Sequence, residues 1–249
     1  MIFESKKLFF NTINLVLEDD KLDEIIKSKK YSKISTTSYK QLDLLGFSVL
    51  TKTTALINLT KSEDEIFKKF NDTTRNEIRR AYKIDDLKFV SADTNFEESY
   101  FLYKNFEYLQ KRVPVSKNEL SQCKLFSAYY KKKMISAIYV MESFPYLRIR
   151  SIFSLRLKTN DKELYKIMSN ATRRIIWEIC LWGKKNNFKS LDLASVNFEN
   201  PRTANITKFK MSFGGEVKNE YTYIYKSSFF RFFEKFVFLK LVLMRIFHK

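Results

Sequence analysis

From residue 87 onward, short apolar runs alternate with segments whose apolar residues recur at helical spacing. LKFVSA (87–92) predicts a strand, and NFEESYFLYKNFEYLQKR (95–112) predicts a helix that ends before Pro114. Three further apolar runs, LFSAYY, MISAIYVME and YLRIRSIFSL, are separated only by the turn segments KKK and SFP. Runs joined by such short turns predict three antiparallel strands.

A long helix and a further strand follow the predicted meander. Apolar residues at every fourth position from Ile167 to Ile179 predict a helix over about 162–185. SLDLAS (190–195) then predicts a strand, ITKFKMSF a short helix, and 217–225 a final strand. This order is typical of a mixed α/β fold with a central sheet. The helix-then-strand step predicts a crossover between parallel strands, and a ligand cavity often opens where such strands diverge.

The N-terminal part has a less regular pattern. Residues 1 to about 45 include charged stretches such as EDDKLDEIIKSKK and are predicted to be helical or mixed. The short runs FSVL and TALINL that follow each predict a strand. Ser62 opens a capping box with Glu65, and the apolar residues behind it predict a helix that continues to about Tyr82.

The composition is that of a folded, strongly basic protein. Of its 249 residues 45% are hydrophobic, and only 4 are Gly and 3 are Pro, which argues against a low-complexity or disordered chain. The formal net charge of +18 attracts phosphate groups, whether of nucleic acid, a nucleotide-linked substrate or an anionic membrane. A lysine-rich surface that binds no particular partner is the alternative interpretation.

Few residues are available for metal or nucleophilic chemistry. Cys123 and Cys180 have neither zinc nor disulfide spacing and are predicted to be buried free thiols. The only histidine is His248, which argues against a His-based catalytic triad and against a His-ligated metal, so no metal is expected. The start of the chain lacks the apolar segment and cleavage site of a signal peptide, so the cytoplasm is the expected compartment.

The segment 227–249, SSFFRFFEKFVFLKLVLMRIFHK, is predicted to form a basic amphipathic helix. Charged residues interrupt it too often for a membrane span. On a helix Lys240 falls opposite the other charged residues, which gather on one side: Arg231, Glu234, Lys235, Arg245 and Lys249. The aromatic density and the basic excess favour binding at an anionic membrane surface. A helix that covers the core or a dimer interface is the alternative.

Three blocks carry motifs that occur together: LTKSEDEIFKKFNDTTRNEIRRAYK, IIWEICLWGKKNNFKSLDLASV and FKMSFGG. Together they resemble the Fem-type acyltransferases, which are the peptidoglycan-bridge aminoacyltransferases and their shorter relatives. Arg75, Ile78, Arg79 and Ala81 fit the pattern of the family's first helix. The second block is similar to a family helix followed by a strand that ends in Asp, here Asp192. The third is similar to the family's F-K-x-x-F-G-G.

The resemblance covers roughly residues 55–226 and implies a GNAT-like acyltransferase fold, an α/β (α+β) arrangement with a mixed central sheet flanked by helices. It divides the chain into an N-terminal extension (1–54), an acyltransferase domain (55–226) and the C-terminal helix (227–249). The implied reaction transfers an acyl or aminoacyl group to an amine. The implied acceptor is a nucleotide- or lipid-linked amino-sugar or peptide precursor in cell-envelope or surface-polysaccharide synthesis, close to the inner membrane face.

Two acyl donors are compatible with this resemblance. Acyl-CoA-dependent GNAT enzymes bind the pyrophosphate with a glycine-containing loop, whereas the corresponding turn here, SLRLKTNDKELYK, contains no glycine. Arg156, Lys158 and the start of the following helix would have to hold the phosphate of acyl-CoA instead. Aminoacyl-tRNA is the donor of the larger Fem enzymes, and the net charge of +18 suits tRNA as well as it suits a membrane.

The candidate catalytic residues are Asp192, Lys210 and Tyr223. Both donors are already activated, so the protein has to align the reactants, accept a proton and stabilise an oxyanion. Asp192 would accept the proton, Lys210 beside Phe209 would stabilise negative charge, and Tyr223 would protonate the leaving group. In the structural alternative, Asp192 is a turn residue, Lys210 is a surface lysine and Tyr223 is a half-buried packing residue.

Arg75 and Arg79 are the candidate ligands of a pyrophosphate, with a solvated helix face as the alternative. Two other functional classes compete with an enzyme. One is a non-catalytic nucleic-acid-binding protein, although the sequence carries no helix-turn-helix, RRM or zinc motif. The other is a membrane-peripheral scaffold, in which the C-terminal segment matters and Lys210 does not.

Overall fold

The structure is a computed structural model that describes residues 1–236. Contacts divide the chain into two units. The first unit comprises residues 1–52 and 219–236, and the second comprises residues 53–218. The chain passes from one unit to the other twice, after residue 52 and after residue 218.

The strands in chain order are β1 (Ile2–Lys7), β2 (Phe10–Val16), β3 (Lys33–Ser38), β4 (Ser48–Asn58), β5 (Leu87–Ser91), β6 (Lys124–Tyr130), β7 (Lys133–Ser143), β8 (Tyr146–Ser154), β9 (Ser190–Val196) and β10 (Glu216–Lys226). The helices are α1 (Leu22–Ser28), α2 (Glu63–Lys69), α3 (Asp72–Ala81), α4 (Phe96–Leu109), α5 (Lys117–Leu120), α6 (Lys162–Lys185) and α7 (Ala204–Met211). A 3₁₀ turn, Leu155–Lys158, follows β8.

The second unit is built on a mixed sheet with the strand order β4-β9-β8-β7-β6-β5. β6, β7 and β8 form the antiparallel meander that the sequence predicts, and β5 adds to its outer edge. β8 and β9 pair in parallel through the crossover helix α6, which confirms the parallel pair predicted from the sequence. β9 then pairs antiparallel with β4.

Helices cover both faces of this sheet. On β7, the ring of Tyr139 lies 6.1 Å from that of Tyr103 in α4. Ile138 and Val140 instead join the apolar core to which Ile175 of α6 belongs. Because successive residues of a strand point to opposite faces, α4 and α6 lie on opposite sides of β7. The predicted arrangement, a central sheet flanked by helices, is confirmed.

The single helix predicted after Ser62 is two helices, α2 and α3. The capping box at Ser62 is present, as predicted. α2 ends at Phe70, whose backbone is extended. The Phe70 ring is buried, and its centroid lies 5.7 Å from that of Trp177 and 5.3 Å from that of Phe213. Burial of this ring stabilises the break, and Asn71 then caps the start of α3 with its side-chain oxygen.

The first unit carries the strand order β1-β2-β3-β10. β1 and β2 form an antiparallel hairpin, α1 connects the parallel strands β2 and β3, and β3 pairs antiparallel with β10. The N-terminal segment predicted to be helical or mixed is therefore mixed, with strands in the larger share. The two strands predicted from FSVL and TALINL are one strand, β4.

Residues 228–236 at the end of the described chain are helical, and the Ser227 hydroxyl accepts a hydrogen bond from the Phe230 backbone N–H at 3.2 Å. The remainder of the helix predicted over 227–249 lies outside the described residues. Among residues 1–236, the helices are too short or too polar to cross a bilayer. Cys123 and Cys180 are buried free thiols, as predicted.

Candidate active site

The parallel strands β8 and β9 are paired only where they begin. Their register runs from Tyr146 opposite Ser190 to Arg148 opposite Asp192, and the pairing ends there. Both strands continue for several residues, β8 to Ser154 and β9 to Val196. The sheet therefore opens between them toward their carboxyl ends, as the sequence predicts for this step of the fold.

A β-bulge bends each of the two strands at this opening. In β8, Arg150 is the extra residue, because its two neighbours pair with successive residues of β7. In β9, Leu193 and Ala194 together face Ala55 of β4. Ala194 has a φ of 61°, a left-handed conformation that costs about 1–3 kcal/mol outside glycine. Such bulges turn a strand out of its ladder, and they are common beside active sites.

Asp192 lies at the apex of the opening and is fully buried. Its carboxylate forms an ion pair with Arg148 and accepts hydrogen bonds from the Thr54 hydroxyl and, at 2.7 Å, from the Ala194 backbone N–H. The side chain thus joins β4, β8 and β9 and holds the bulge at Ala194. It does not line the cavity described next.

A cavity of about 490 Å³ occupies the opening between the strands. β8 contributes residues 149–154, β9 contributes Leu193 and Ala194, and α6 contributes the side of the helix that carries Met168 and Thr172. The C-terminal end of α4 and the last two turns of α7 complete the wall. The volume is that of a small-molecule site. The cavity lies where the sequence predicts one, at the diverging ends of two parallel strands.

The lining of the cavity is strongly basic. Five cationic side chains reach it: Arg112, Arg150, Arg156, Arg173 and Lys210. Three of the arginines have carboxylate partners, since Arg112 pairs with Glu107 at 2.9 Å, Arg150 with Glu119 at 2.8 Å and Arg173 with Glu77 at 2.8 Å. Positive charge therefore exceeds negative charge around the cavity, which favours an anionic ligand.

Arg156 differs from the other cavity arginines. Within residues 1–236 no carboxylate pairs with its guanidinium group, whose central carbon lies 5.7 Å from the ring centroid of Tyr165. It follows β8 on the 3₁₀ turn that leads into α6. Its hydrogen-bond donors therefore remain available to a ligand in the cavity.

Arg173 is the most deeply buried cation of the cavity wall. Burial lowers the pKa of its guanidinium, the charge of Glu77 opposes that shift, and the charge of Arg156 adds to it. Its Nε atom is buried and has no hydrogen-bond partner within the part of the chain that the structure describes. A phosphate or carboxylate between Arg156 and Arg173 would relieve both the repulsion and the missing hydrogen bond.

Phe209 and Lys210 close the cavity from the side of α7. The guanidinium carbon of Arg173 lies 5.1 Å from the ring centroid of Phe209, which in turn packs edge-on against the buried Phe213. The Lys210 ammonium donates a hydrogen bond to the Ser195 carbonyl at 2.8 Å and so bridges α7 to the end of β9. The Phe-Lys pair identified in the sequence therefore lies at the cavity.

The glycine pair after α7 lets the chain return to the sheet. Gly214 has a φ of 63°, and a Cβ atom there would lie 2.2 Å from the carbonyl oxygen of Lys69. A Cβ atom on Gly215 would lie 3.2 Å from that of Ala55 in β4. Only glycine permits this conformation and this approach together, so the pair fixes where α7 ends.

Three other predicted ligands lie outside the cavity lining. Arg75 donates hydrogen bonds to the backbone carbonyls at the α2–α3 junction and pairs with Asp72. Arg79 donates to the Asn76 side chain at 3.3 Å. The Lys158 ammonium lies over the ring of Phe101, 6.0 Å from its centroid. Arg75 thus has a structural role in joining the two helices.

Tyr223, the third candidate catalytic residue, belongs to the first unit. Its side chain is buried, and its hydroxyl oxygen accepts a hydrogen bond from the Leu42 backbone N–H at 2.6 Å. Tyr221 lies two residues away on the same strand, with its ring centroid 6.4 Å from that of Tyr223. Within the first unit Tyr223 therefore anchors the segment that follows β3.

No protein-family model matches the sequence, and no curated protein does so either. Solved structures match it along most of its length. The structure of FemX superposes with a TM-score of 0.63 at 10% identity, covering 89% of this chain and 83% of that one. The chain has the fold of FemX. The resemblance to Fem-type acyltransferases stated from the sequence motifs is thereby confirmed for the fold.

Two further structures share this FemX fold. One is the C-terminal domain of a protein from Agrobacterium fabrum assigned as a lysylphosphatidylglycerol synthetase, with a TM-score of 0.57, 13% identity and coverage of 91% and 81%. The other is L-PGS from Bacillus licheniformis, with a TM-score of 0.54, 12% identity and the same coverage. At such identities the likeness concerns the fold and does not assign a substrate.

Several cavity residues were not predicted from the sequence. Arg173 lies within the predicted helix α6 beside a second arginine, Arg174, and the local pattern does not distinguish which of the two reaches the cavity. No local sequence signal marks Arg150, because it reaches the cavity through a bulge whose position depends on the register with β7. Glu107 lies at the end of α4 and Arg112 just after it, and the fold brings this segment to β8 from far away in the sequence.

Proposed function

We propose that the chain is an acyltransferase of the Fem type that transfers an acyl or aminoacyl group to an amine inside the cavity of the second unit. The observation that carries this proposal is the basic cavity between the diverging strands β8 and β9, with Phe209 and Lys210 on its wall. The FemX fold supports it, and so does the order of the three sequence motifs.

The chemistry requires a neutral amine, an activated carbonyl and an oxyanion site. The amine nitrogen attacks the carbonyl carbon, the carbonyl oxygen gains negative charge, and the bond to the donor's sulfur or ribose oxygen then breaks. We assign stabilisation of the oxyanion to Lys210, whose ammonium group lies at the cavity on the end of α7. Phe209 beside it provides an apolar wall that excludes water.

The amine also loses a proton, which ends on the leaving group. Among the described residues that line the cavity, Glu107 alone carries a carboxylate, and Arg112 holds it in place through two hydrogen-bonded contacts of 2.9 and 3.0 Å. We assign the transient acceptance of the proton to Glu107. Asp192 is buried and fully engaged at the apex, so we assign it a positioning role for the bulge at Ala194.

Phosphate groups of the substrates are assigned to Arg156 and Arg173. Both acyl-CoA and aminoacyl-tRNA carry phosphate groups, and a cavity of about 490 Å³ has room for part of either donor. The acceptor proposed is the amine of a nucleotide- or lipid-linked amino-sugar or peptide precursor used in cell-envelope or surface-polysaccharide synthesis. The excess of positive charge around the cavity supports a substrate of this kind.

The proposed place of action is the inner face of a membrane, to which the protein would bind peripherally. The net charge of +18 supports this location, as does the aromatic and basic composition of residues 227–249.

A donor screen tests the proposed reaction. Acyl-CoAs and charged tRNAs would be incubated with the wild-type protein and amino-sugar or peptide acceptors, and amide products would be measured by mass spectrometry. We expect one donor class to give product and to raise the melting temperature, and Arg156→Ala to weaken both effects. The proposal would be contradicted if no donor of either class gave product or stabilised the protein.

A further inference from the structure

Among the exposed large apolar side chains of the first unit, five fall into two groups. Leu8 and Phe9, at the turn of the β1–β2 hairpin, are 67% and 87% exposed. Phe229, Phe232 and Phe236, in the helix over 228–236, are 67%, 68% and 60% exposed. Exposed aromatic residues concentrated in this way are a mark of an interaction surface.

The helix over 228–236 has an inner and an outer face. Phe230 and Phe233 pack on Phe10 of β2, with ring centroids 5.0 and 5.1 Å away, and form the inner face. The exposed residues Phe229, Phe232 and Phe236 are spaced i, i+3, i+7 and therefore share the outer face. The helix is thus held on the first unit by one aromatic face and presents another to solvent.

Phe10 also connects the helix to the hairpin turn. Its ring lies 5.5 Å from that of Phe229, which is itself largely exposed, and its neighbour in the chain is Phe9. The hairpin turn therefore lies next to the helix, because β2 begins at Phe10 directly after the turn. We call this combination the aromatic surface, and its members are Leu8, Phe9, Phe229, Phe232 and Phe236.

Cationic residues accompany the aromatic surface. Arg231 and Lys235 are exposed and lie one turn apart along the helix, beside the outer face. The only acid between them, Glu234, is paired with Lys226. The thirteen residues after 236, VFLKLVLMRIFHK, contain no acidic residue in their sequence and add three Lys or Arg residues. The charge around the surface is therefore complementary to an anionic partner.

We infer that the aromatic surface binds an anionic lipid bilayer, with the hairpin turn as a second anchor beside the helix. Protruding phenylalanines flanked by lysine and arginine are what helices at the bilayer interface present, because the rings enter the headgroup region while the cations contact lipid phosphates. This inference builds on the proposed membrane location. It does not depend on the proposed acyl transfer, whose residues belong to the second unit.

Vesicle co-sedimentation of the full chain tests the inference. The vesicles are phosphatidylcholine with about 30% phosphatidylglycerol, an anionic lipid, and are compared with pure phosphatidylcholine. Two variants remove parts of the aromatic surface: Leu8→Ser with Phe9→Ser, and Phe232→Ser with Phe236→Ser. Phe198→Ser is the matched control, because Phe198 is 63% exposed and belongs to the second unit.

We expect each double variant to weaken binding to the anionic vesicles by about tenfold or more, a change of about 1.4 kcal/mol. The control variant should bind as wild type does, and raised salt should weaken all binding. Phe9→Trp adds a direct readout, since its emission should shift to shorter wavelength with vesicles. The replaced side chains are exposed, and circular dichroism checks that every variant is folded.

Three outcomes would overturn the inference. If the hairpin variant binds like wild type while the helix variant does not, the second anchor is wrong and the membrane location stands. If wild type fails to bind anionic vesicles, both are wrong, whatever the donor screen gives. If the wild type forms dimers that the double variants dissociate and binds no vesicles, the occupant of the surface is a second copy of the chain.

Discussion

Asp192 illustrates how a single buried residue defines the shape of the candidate site. Its carboxylate is fully buried and is satisfied by Arg148, Thr54 and the backbone of Ala194. These partners come from three strands, and the bulge that they fix lies on the cavity wall. Removal of the carboxylate would break the buried ion pair with Arg148 and free the bulge at Ala194.

We therefore expect Asp192→Ala to lower the free energy of unfolding by about 3–5 kcal/mol, the usual cost of breaking a buried ion pair. Urea denaturation followed by circular dichroism measures this. The matched control is Glu216→Ala, which removes the exposed pair with Lys69 and should cost less than about 1 kcal/mol. Equal losses in the two variants would mean that the Asp192 network is not structurally important.

The two thiols give a residue-scale prediction about reactivity. Burial raises the pKa of Cys123 to about 12, and burial raises the pKa of Cys180 as well. A thiol is protonated below its pKa, so neither sulfur is a thiolate at neutral pH, and the thiolate is the reactive form.

Titration with a disulfide reagent at pH 8 should therefore detect no rapidly reacting thiol in the folded protein and both thiols in urea. If Cys123 reacted rapidly in the folded protein at this pH, its environment would not be as apolar as the structure has it.

At the scale of elements, α7 and the glycine pair behind it determine how the cavity closes. The Lys69 carbonyl at the end of α2 occupies the place of a Cβ atom at Gly214. The end of α7 is therefore held against the α2–α3 junction, and this contact sets where Phe209 and Lys210 lie.

Gly214→Ala should destabilise the protein by more than about 2 kcal/mol, because it combines a left-handed φ with a backbone clash. Gly46→Ala is the control, since Gly46 has a φ of 79° but no atom within 4 Å of the position that a Cβ atom would take. That variant should lose only the conformational term, about 1 kcal/mol. Thermal unfolding compares them, and a smaller loss at Gly214 than at Gly46 would contradict the close approach.

The elements differ in how well the sequence predicts them. From residue 87 onward the periodicity is regular, and the meander, α6 and β9 agree with the structure within a few residues. The break between α2 and α3 was missed because burial of the Phe70 ring, a tertiary contact, overrides the helical pattern. β3 pairs with β10, which lies far away in the sequence, so local patterns could not reveal its place in the sheet.

The same limit applies to the site. Phe209 and Lys210 are predictable because their motif is local, and Arg156 because its turn corresponds to the pyrophosphate loop of GNAT enzymes. Glu107, Arg150 and Arg173 meet only after the sheet has formed. Local sequence patterns therefore predict part of the cavity wall, while the remaining residues depend on strand register and helix packing.

At the scale of the whole molecule, basic residues lie at two places in different units: the cavity of the second unit and the aromatic surface of the first. The net charge of +18 includes the cations of the cavity in the second unit and those beside the aromatic surface in the first. Anionic substrates and anionic lipid are both attracted by such a charge. The division into parts at residues 54 and 226, predicted from the sequence, stays a prediction.

The most direct test of the account is the kcat/KM of acyl transfer with the donor found in the screen, measured for Arg156→Ala, Lys210→Ala and Arg80→Ala. Arg80 is an exposed cation on α3 that does not line the cavity, and it serves as the control. We predict losses of about 10- to 100-fold for the two cavity variants, the effect of removing one charge-assisted hydrogen bond. The melting temperature should be unchanged in Arg156→Ala and only slightly lowered in Lys210→Ala, which loses its hydrogen bond to Ser195. The control should stay within about twofold of wild type. Wild-type kcat/KM in both cavity variants, or an equal loss in Arg80→Ala, would contradict the assignment of the cavity as the active site.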